Sequence, residues 1–136
     1  MRILVLEDED SIRRMISALV QARGFEVVGV ASGVKALDEA SKQVPDVAIL
    51  DLMVPGAFDG FEVCKRLRSS PATATIPIII ISAMDDPASR EKAKQAGATT
   101  FFAKPFSAIA LMKELESMKT RRHSEPGMKA VKPPGE

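Results

Sequence analysis

The stretch Pro45-Asp46-Val47-Ala48-Ile49-Leu50-Asp51-Leu52-Met53-Val54-Pro55-Gly56 decides the fold. It begins with an apolar run, Val47 to Leu50, that shows no alternation of polar and apolar residues and contains two β-branched side chains. Such a run is typical of a strand buried on both faces of a parallel sheet. The run ends at Asp51, and ligands of open α/β sheets bind at the carboxyl ends of strands. Asp51 is therefore a candidate site residue, with a surface carboxylate or a helix cap as the alternative.

The composition indicates one globular domain with an aliphatic core. The chain has 136 residues, is 46% hydrophobic and contains neither Trp nor Tyr; that length allows a substantial core. The single cysteine, Cys64, excludes an internal disulfide and fits a reducing compartment, and its apolar neighbours predict a buried structural thiol. No apolar run has the length of a signal peptide or a membrane span, so we expect a cytoplasmic protein that does not enter a membrane.

Charge is distributed unevenly along the chain. Residues 1–118 carry 14 Lys and Arg against 16 Asp and Glu, a net charge of −2, whereas residues 119–136 carry 5 against 2, a net charge of +3. A mildly acidic body argues against direct binding of nucleic acid by the folded domain. We predict a domain at residues 1–119 and a flexible C-terminal tail at residues 120–136, because that segment contains three prolines and two glycines.

Apolar periodicity and turn signals predict five strands that alternate with five helices. This alternation predicts an α/β fold of the flavodoxin-like (βα)5 type, a doubly wound five-stranded parallel sheet with strand order 2-1-3-4-5 and right-handed crossovers. The predicted strands are residues 3–6, 25–31, 47–51, 76–82 and 99–103, and the predicted helices are residues 11–23, 33–43, 61–68, 87–96 and 108–119.

Helix caps and helix faces follow from the same patterns. The fourth predicted helix lacks large apolar residues, so we expect it to pack weakly and to move easily. The predicted caps are Asp10 or Ser11 for the first helix, Ser32 for the second, Asp86 for the fourth and Ser107 for the fifth. Residues predicted to face the core include Met15, Val34 and Ile109.

Polar residues stand at the carboxyl ends of four predicted strands: Glu7 and Asp8, Asp51, Ser82 and Lys104. In the predicted strand order these ends are neighbours, so the side chains should converge on one crevice. Three carboxylates in one pocket repel each other and favour a hard divalent cation with oxygen ligands, Mg²⁺ before others. A carboxylate such as Asp51 can act as a nucleophile and form an aspartyl-phosphate. A hydroxyl and an ammonium can then bind the phosphoryl oxygens.

Five motifs occur together, in order and at the right separations for one known family. Over residues 2 to about 119 the chain resembles the receiver domain of two-component response regulators. The motifs are Ile3-Leu4-Val5-Leu6-Glu7-Asp8-Glu9, Pro45-Asp46 with Asp51-Leu52-Met53-Val54-Pro55, Ile80-Ile81-Ser82-Ala83, Ala96-Gly97-Ala98 and Phe102-Ala103-Lys104-Pro105-Phe106.

The resemblance implies a phosphoacceptor site. Asp51 would accept a phosphoryl group from the phosphohistidine of a sensor histidine kinase or a phosphotransfer protein. Asp8, Asp51 and the backbone carbonyl of Met53 would ligate Mg²⁺, with Glu7 acting mainly through a bound water. Lys104 would bind the phosphoryl oxygens, and its peptide bond to the following proline would be cis, an arrangement that only proline makes cheap.

The resemblance also implies a switch. Ser82 would move toward the phosphoryl group, and Phe101 would swing inward with it, although Phe101 as an ordinary core residue is an equal alternative. The face formed by the fourth helix, fifth strand and fifth helix would then signal to a downstream protein target that the sequence does not identify. Met53 and Met84 stand at the two positions that tune phosphoryl loss in the family; both are apolar, so we expect a long-lived phosphoryl group.

Two departures from the family pattern bear on these expectations. Gly60 lies nine residues after Asp51, where the family usually has eight, so the loop of residues 54–60 should be enlarged. The members that dimerise to bind DNA have two acids after Gly-Ala, an acid in the last helix and a base one turn later. The chain has Thr99 and Thr100, Ala110 and Glu114 there, so we expect a monomer or a weak phosphorylation-dependent dimer.

Other functions remain as alternatives. We expect a signalling phosphoacceptor whose only catalysis is magnesium-dependent self-phosphorylation and autodephosphorylation. A magnesium-dependent phosphatase with an Asp nucleophile typically needs a second Asp where Met53 stands, and the acidic run Glu7-Asp8-Glu9-Asp10 would repel the phosphate of a flavodoxin-like cofactor. A receiver that binds partners without phosphorylation stays open. We expect a stand-alone receiver, with a fragment of a longer regulator as the alternative.

Overall fold

Five strands and five helices alternate along the chain, as predicted. The computed structural model describes residues 1–124, with side chains described for residues 1–119. The elements are β1 (Arg2–Leu6), α1 (Asp10–Ala22), β2 (Glu26–Val30), α2 (Gly33–Lys42), β3 (Val47–Asp51), α3 (Gly60–Ser69), β4 (Ile78–Ser82), α4 (Pro87–Ala96), β5 (Thr100–Ala103) and α5 (Ala108–Ser124).

The strands form one parallel sheet in the order β2-β1-β3-β4-β5, which confirms the predicted topology. The central strand β3 pairs with β1 on one side and with β4 on the other. The register places Leu6 beside Leu50 and Asp51 beside Ile81. Because parallel strands point the same way, the polar residues that end β1, β3, β4 and β5 meet at one edge of the sheet.

The sheet separates two apolar cores, and this explains the continuous apolar runs of the central strands. Alternate residues of β4 enter opposite cores, with Ile78 and Ile80 in one and Ile79 and Ile81 in the other. All four isoleucines are at most 1% exposed. Each such burial contributes about 1.5–3 kcal/mol of transfer free energy. The sheet order therefore rests on strands that have no solvent-facing side.

Element ends differ from the prediction by a few residues, for local reasons. β4 begins at Ile78 rather than at residue 76: Pro77 has no N–H to donate, and the N–H of Ile76 donates to Thr73 in the preceding turn. The cap of α1 is Glu9, so the predicted cap at Asp10 or Ser11 is wrong. α5 continues to Ser124, beyond the predicted end at residue 119, and the remainder of the predicted tail, residues 125–136, lies outside the described residues.

Three predicted core residues are exposed instead. Met15, Val34 and Ile109 are 44%, 51% and 70% exposed, so their prediction as inward-facing was wrong. On α5 the buried side chains lie between Leu111 and Met118, and Ile109 precedes Leu111 by two residues, about 200° around the helix. Apolar spacing alone does not say which side of a broad stripe a neighbouring helix covers.

Three predicted helix caps and the buried cysteine are confirmed. Ser32, Asp86 and Ser107 accept hydrogen bonds from backbone N–H groups three residues ahead. Cys64 is buried, and burial raises the pKa of its thiol to about 11. The buried positions of α4 carry only small side chains, namely Ser89, Ala93 and Ala96. Among the described residues, no helix has the length and apolar character needed to cross a bilayer.

Arg68, at the end of α3, ties several elements together at the edge of the sheet opposite the acidic residues. Its guanidinium donates to the backbone carbonyls of Gly97 at 2.9 Å, Ile76 at 2.6 Å and Ala74 at 3.2 Å. It also donates to the hydroxyl of Thr99 at 3.4 Å. Burial lowers the pKa of Arg68. The sequence pattern did not predict this network, because its partners lie on separate elements.

Candidate functional site

Asp51 ends the central strand and is 4% exposed. One carboxylate oxygen accepts a hydrogen bond from the backbone N–H of Met53 at 3.2 Å. That bond ties the carboxylate to the backbone two residues after Asp51. A nucleophilic or metal-binding carboxylate is therefore held in a fixed orientation at the sheet edge by the backbone that follows it.

Glu7 and Asp8 follow β1 and complete an acidic cluster with Asp51. One carboxylate oxygen from each of the three residues lies within 4.8 Å of the others. Glu7 is 2% exposed, whereas Asp8 faces solvent. Three carboxylates and no His or Cys are a donor set for a hard cation such as Mg²⁺ rather than for zinc. The cluster predicted from the strand ends is therefore present, and its chemistry fits a divalent cation.

Lys104 follows β5 and reaches into the acidic cluster. Its ammonium nitrogen lies 2.9 Å from a carboxylate oxygen of Glu7 and 3.2 Å from one of Asp51. The backbone N–H of Lys104 donates to the carbonyl of Ser82, which fixes the end of β5 against β4. The peptide bond between Lys104 and Pro105 is cis, as expected. The one cation of this set thus bridges the candidate nucleophile and a neighbouring acid.

Two pKa values are shifted in this cluster. Burial raises the pKa of Glu7, and the nearby charge of Asp51 adds to the rise, although hydrogen bonds from Lys104 and Glu9 oppose it. Burial works to lower the pKa of Lys104, but its hydrogen bond to Glu7 and the charges of both acids outweigh burial, so the pKa is raised. The ammonium is thus held in its charged form between the two acids.

Arg13 supports the acidic turn from α1. Its guanidinium donates to the backbone carbonyl of Glu7 at 2.9 Å and pairs with Asp10 at 2.5 Å. The contact fixes the turn that carries Asp8 relative to the helix that follows. Sequence analysis did not identify this residue, although the spacing of three residues between Asp10 and Arg13 is a recognised pairing distance on a helix.

Ser82 ends β4, and its side chain is fully buried. Its hydroxyl oxygen accepts a hydrogen bond from the backbone N–H of Met84 at 2.9 Å, which leaves the hydroxyl able to donate a hydrogen bond itself. The side chains of Met53 and Met84 are 55% and 40% exposed. Each methionine therefore bonds through its backbone to a polar site residue while presenting an apolar side chain to solvent.

Phe101 lies half-buried on β5 and packs against the core that contains α3 and α4. The guanidinium of Arg90, on α4, lies 4.5 Å from the centre of its ring. Arg90 also pairs with Asp85 in the loop after Ser82, at 2.5 Å. A chain of contacts thus joins that loop to the aromatic ring. Sequence analysis named Phe101 but gave no signal for Arg90.

The β3–α3 loop (residues 52–59) contains the extra residue noted in the sequence. The backbone N–H of Gly60 donates to the carbonyl of Leu52 at 3.1 Å, which closes the loop. Gly56 has a φ of 108°, a left-handed conformation that favours glycine. Asp59 caps α3 by accepting from the backbone N–H of Glu62 at 2.9 Å. The longer loop is therefore anchored at both ends.

The positions that differ from DNA-binding members make contacts within the chain. Thr100 donates its hydroxyl to the carboxylate of Glu114 at 2.7 Å, and both residues are buried. The hydroxyl of Thr99 accepts from the backbone N–H of Ile78 at 3.0 Å. Glu114 and the two threonines therefore tie β5 to α5 and to the start of β4.

Comparison with known proteins gives a consistent result. The profile of the family "Response regulator receiver domain" matches residues 3–116. The chain is 36% identical over 117 residues to the response regulator PleD of Caulobacter vibrioides, covering 86% of this chain and 26% of PleD. It is 36% identical over 124 residues to the phosphate regulon transcriptional regulatory protein PhoB of Rhizobium meliloti, covering 91% of this chain and 54% of PhoB. The chain thus spans between a quarter and about half of these curated relatives.

Solved structures agree with this result. The chemotaxis protein CheY4 of Vibrio cholerae has a TM-score of 0.81 and 34% identity, with 86% of this chain and 97% of that chain covered. The receiver domain of the Francisella response regulator 1452 has a TM-score of 0.82 and 26% identity, with 89% and 98% covered. Family profile, relatives and fold all point the same way: the chain belongs to the response regulator receiver domain family of two-component systems.

Proposed function

We propose that this chain is a phosphorylation-controlled switch of the cytoplasm that accepts a phosphoryl group on Asp51. The donor is the phosphohistidine of a sensor histidine kinase or of a phosphotransfer protein. The observation that supports the proposal is the environment of Asp51. The residue is 4% exposed, and its carboxylate lies 3.2 Å from the ammonium of Lys104 and is grouped with two further carboxylates. Exposed carboxylates of this chain, such as Asp10, also pair with a cation, but they lack the burial of Asp51.

The proposed transfer exchanges one bond for another. A carboxylate oxygen of Asp51 forms a bond to phosphorus while the bond from phosphorus to the imidazole nitrogen of the donor breaks. The imidazole keeps the electron pair of that bond. Glu7, Asp8, Asp51 and the backbone carbonyl of Met53 would hold Mg²⁺, which when bound would offset the negative charge of the acids and of the incoming phosphoryl oxygens.

Two further residues act on the phosphoryl group in this proposal. Lys104 already lies within hydrogen-bond distance of Asp51 and Glu7, so a small rotation brings its ammonium to a phosphoryl oxygen. The Ser82 hydroxyl, which accepts from the Met84 backbone N–H, would donate its own hydrogen to another phosphoryl oxygen. The role assigned to Lys104 by resemblance thus requires only a short movement of one side chain.

The signal leaves through the face formed by α4, β5 and α5. Movement of Ser82 carries the loop that holds Asp85, and Asp85 holds Arg90 against Phe101. Because the buried face of α4 consists of small side chains, it separates from its neighbours at low cost. Phosphorylation therefore shifts a population between two arrangements of this face, which a downstream protein distinguishes. With Thr99 and Thr100 bonded inside the chain, we infer a monomer before phosphorylation.

The first experiment is intact-mass analysis after incubation with acetyl phosphate and MgCl₂. We expect one phosphoryl adduct on the wild type and none on Asp51→Asn, which keeps the size of the side chain but removes the nucleophile. Chelation of the cation with EDTA should abolish the adduct. Unmodified wild-type protein with an intact fold, or an adduct that persists in Asp51→Asn, would contradict the proposal.

The lifetime of the adduct tests the role of the exposed methionines. Thioether side chains cannot orient an attacking water by hydrogen bonds as carboxylates or amides do, so the phosphoryl group should outlast that of receivers with polar residues at these positions. Met53→Asn and Met84→Glu should each accelerate its loss. Loss from the wild type within seconds in MgCl₂ buffer would refute this part of the proposal.

A further inference from the structure

Gly33, the first residue of α2, lies in direct contact with the β3–α3 loop. A Cβ at this position would lie 2.2 Å from the backbone oxygen of Phe58, and 2.9 Å from both the Cβ of Phe58 and a methyl of Val63. The φ of Gly33 is not positive, so its backbone conformation does not require glycine. The requirement is one of space, because the loop backbone occupies the place of a side chain.

A second glycine holds the other side of the same loop. A Cβ at Gly60 would lie 2.3 Å from the backbone oxygen of Asp51 and 2.6 Å from the Cα of Leu52. The loop is thus enclosed between the end of its own strand and the first turn of α2. A residue of α3 also holds Phe58 in place: the guanidinium of Arg66 lies 4.1 Å from the centre of the Phe58 ring.

We propose that Gly33 is a positioning residue for the phosphorylation site, which it reaches through the β3–α3 loop. The inference rests on the proposed function and adds α2, which carries none of the site residues, to the elements that set its geometry. A methyl group at Gly33 forces the Phe58 backbone and the start of α2 apart by about 0.8 Å, the difference between 2.2 Å and the 3.0 Å closest approach. Since Gly60 fixes Leu52, the displacement is passed to Met53, whose carbonyl is an expected Mg²⁺ ligand.

The direction of the effect is unusual for this substitution. Gly→Ala in a helix ordinarily stabilises, because alanine has the higher helix propensity. Here the same change should weaken Mg²⁺ binding about fivefold and slow phosphorylation by acetyl phosphate about tenfold or more, as misplacements of about 1 Å commonly do. The loss arises from the position of the loop and not from the stability of α2.

The test compares Gly33→Ala with Ala40→Gly. Ala40 lies on the same helix but beside Arg2 and Pro45, at the other end of the strands from Asp51. Its substitution removes a buried methyl and lowers helix propensity, so it destabilises α2 without touching the loop. Mg²⁺ affinity is measured by calorimetry, amide shifts of residues 53–59 other than Pro55 by NMR without Mg²⁺, and stability by thermal melting.

We expect Gly33→Ala to shift the loop amides and weaken Mg²⁺ binding, and Ala40→Gly to lower the melting temperature with unchanged Mg²⁺ affinity. Equal losses of affinity in the two variants, or unchanged loop amides in Gly33→Ala, would overturn the inference. If Gly33→Ala does not fold, the test uses the wild type. Addition of Mg²⁺ should then shift the amide signals of residues 33–36 but not those of residues 40–43. Shifts at residues 40–43 without shifts at residues 33–36 would overturn the inference. Absence of a phosphoryl adduct on the wild type would refute the proposed function but not this inference, because Mg²⁺ affinity, loop amide shifts and melting temperature are measured without phosphorylation.

Discussion

The hydrogen bond between Thr100 and Glu114 gives the sharpest prediction about how the output face is held together. The change is Thr100→Val, which keeps the shape of the side chain and removes the hydroxyl. Thr100 is 5% exposed and Glu114 is 7% exposed, so water does not readily replace the lost donor. A hydrogen bond to a charged group contributes about 1.5–3 kcal/mol, and we expect Thr100→Val to lower the free energy of unfolding by about that amount.

The assay is urea unfolding followed by far-UV circular dichroism, because the chain has no Trp or Tyr for intrinsic fluorescence. With a urea dependence of about 2 kcal/mol/M, the midpoint should fall by about 1 M. Thr75→Val is the matched control: Thr75 is exposed, so the free energy of unfolding of this variant should stay within about 0.5 kcal/mol of the wild-type value.

A double-mutant cycle separates the hydrogen bond from other effects of the change. Glu114→Met keeps the length of the side chain without its charge, and in the double variant Thr100→Val/Glu114→Met two apolar groups face each other. Replacing both partners is nearly neutral when shape is kept, so the double variant should be more stable than Thr100→Val alone. A coupling energy of about 1 kcal/mol or more is expected. Additive effects, or a Thr100→Val midpoint equal to the wild type, would refute this reasoning.

Two further predictions concern the ends of α3 and α4. Arg68→Ala should lower the free energy of unfolding by about 2–4 kcal/mol, and Arg68→Lys should recover less than half of that loss, because a single ammonium cannot reach the separate carbonyls. The control is Lys65→Ala, a change at an exposed neighbour. If Arg68→Ala loses no more stability than Lys65→Ala, the prediction is contradicted. Hydrogen bonds from Ser89 hold the pKa of Asp86 in the folded protein below its usual value. This cap therefore stabilises the fold fully at pH values above the pKa of an unfolded Asp, and the stabilisation is lost as the pH falls through the lower pKa of the folded state. Asp86→Asn keeps a cap but removes that titration. The difference in free energy of unfolding between the wild type and Asp86→Asn, measured by urea unfolding at neutral and at acidic pH, should therefore shrink on acidification. A difference that stays constant with pH would exclude the effect.

Much of the fold was readable from local pattern. The runs at Val47 to Leu50 and Ile78 to Ile81 have no polar face, and such strands are stable only inside a sheet covered on both sides. Once the strands are parallel and their order is set, the residues that follow them must meet at one edge. The convergence of Asp51, Glu7 and Lys104 was therefore predictable, although the bridging of both acids by the Lys104 ammonium was not.

The helix faces were less predictable. Ile109 satisfies an apolar spacing and is nevertheless 70% exposed, because burial depends on which neighbouring element lies against the helix. The spacing of apolar residues defines a stripe, but a stripe wider than the contact leaves some of its residues in solvent.

The sequence alone determined the element order, the parallel sheet and the residues at its edge, because these depend on periodicity, on strand burial and on residues that follow each strand directly. Only the tertiary structure decided which distant groups meet: Arg68 with Gly97, Thr100 with Glu114, and Gly33 with Phe58. These contacts join residues 14 or more positions apart on different elements, so no local pattern encodes them. They arise from how closely the packed layers approach, and that distance is set by the whole fold.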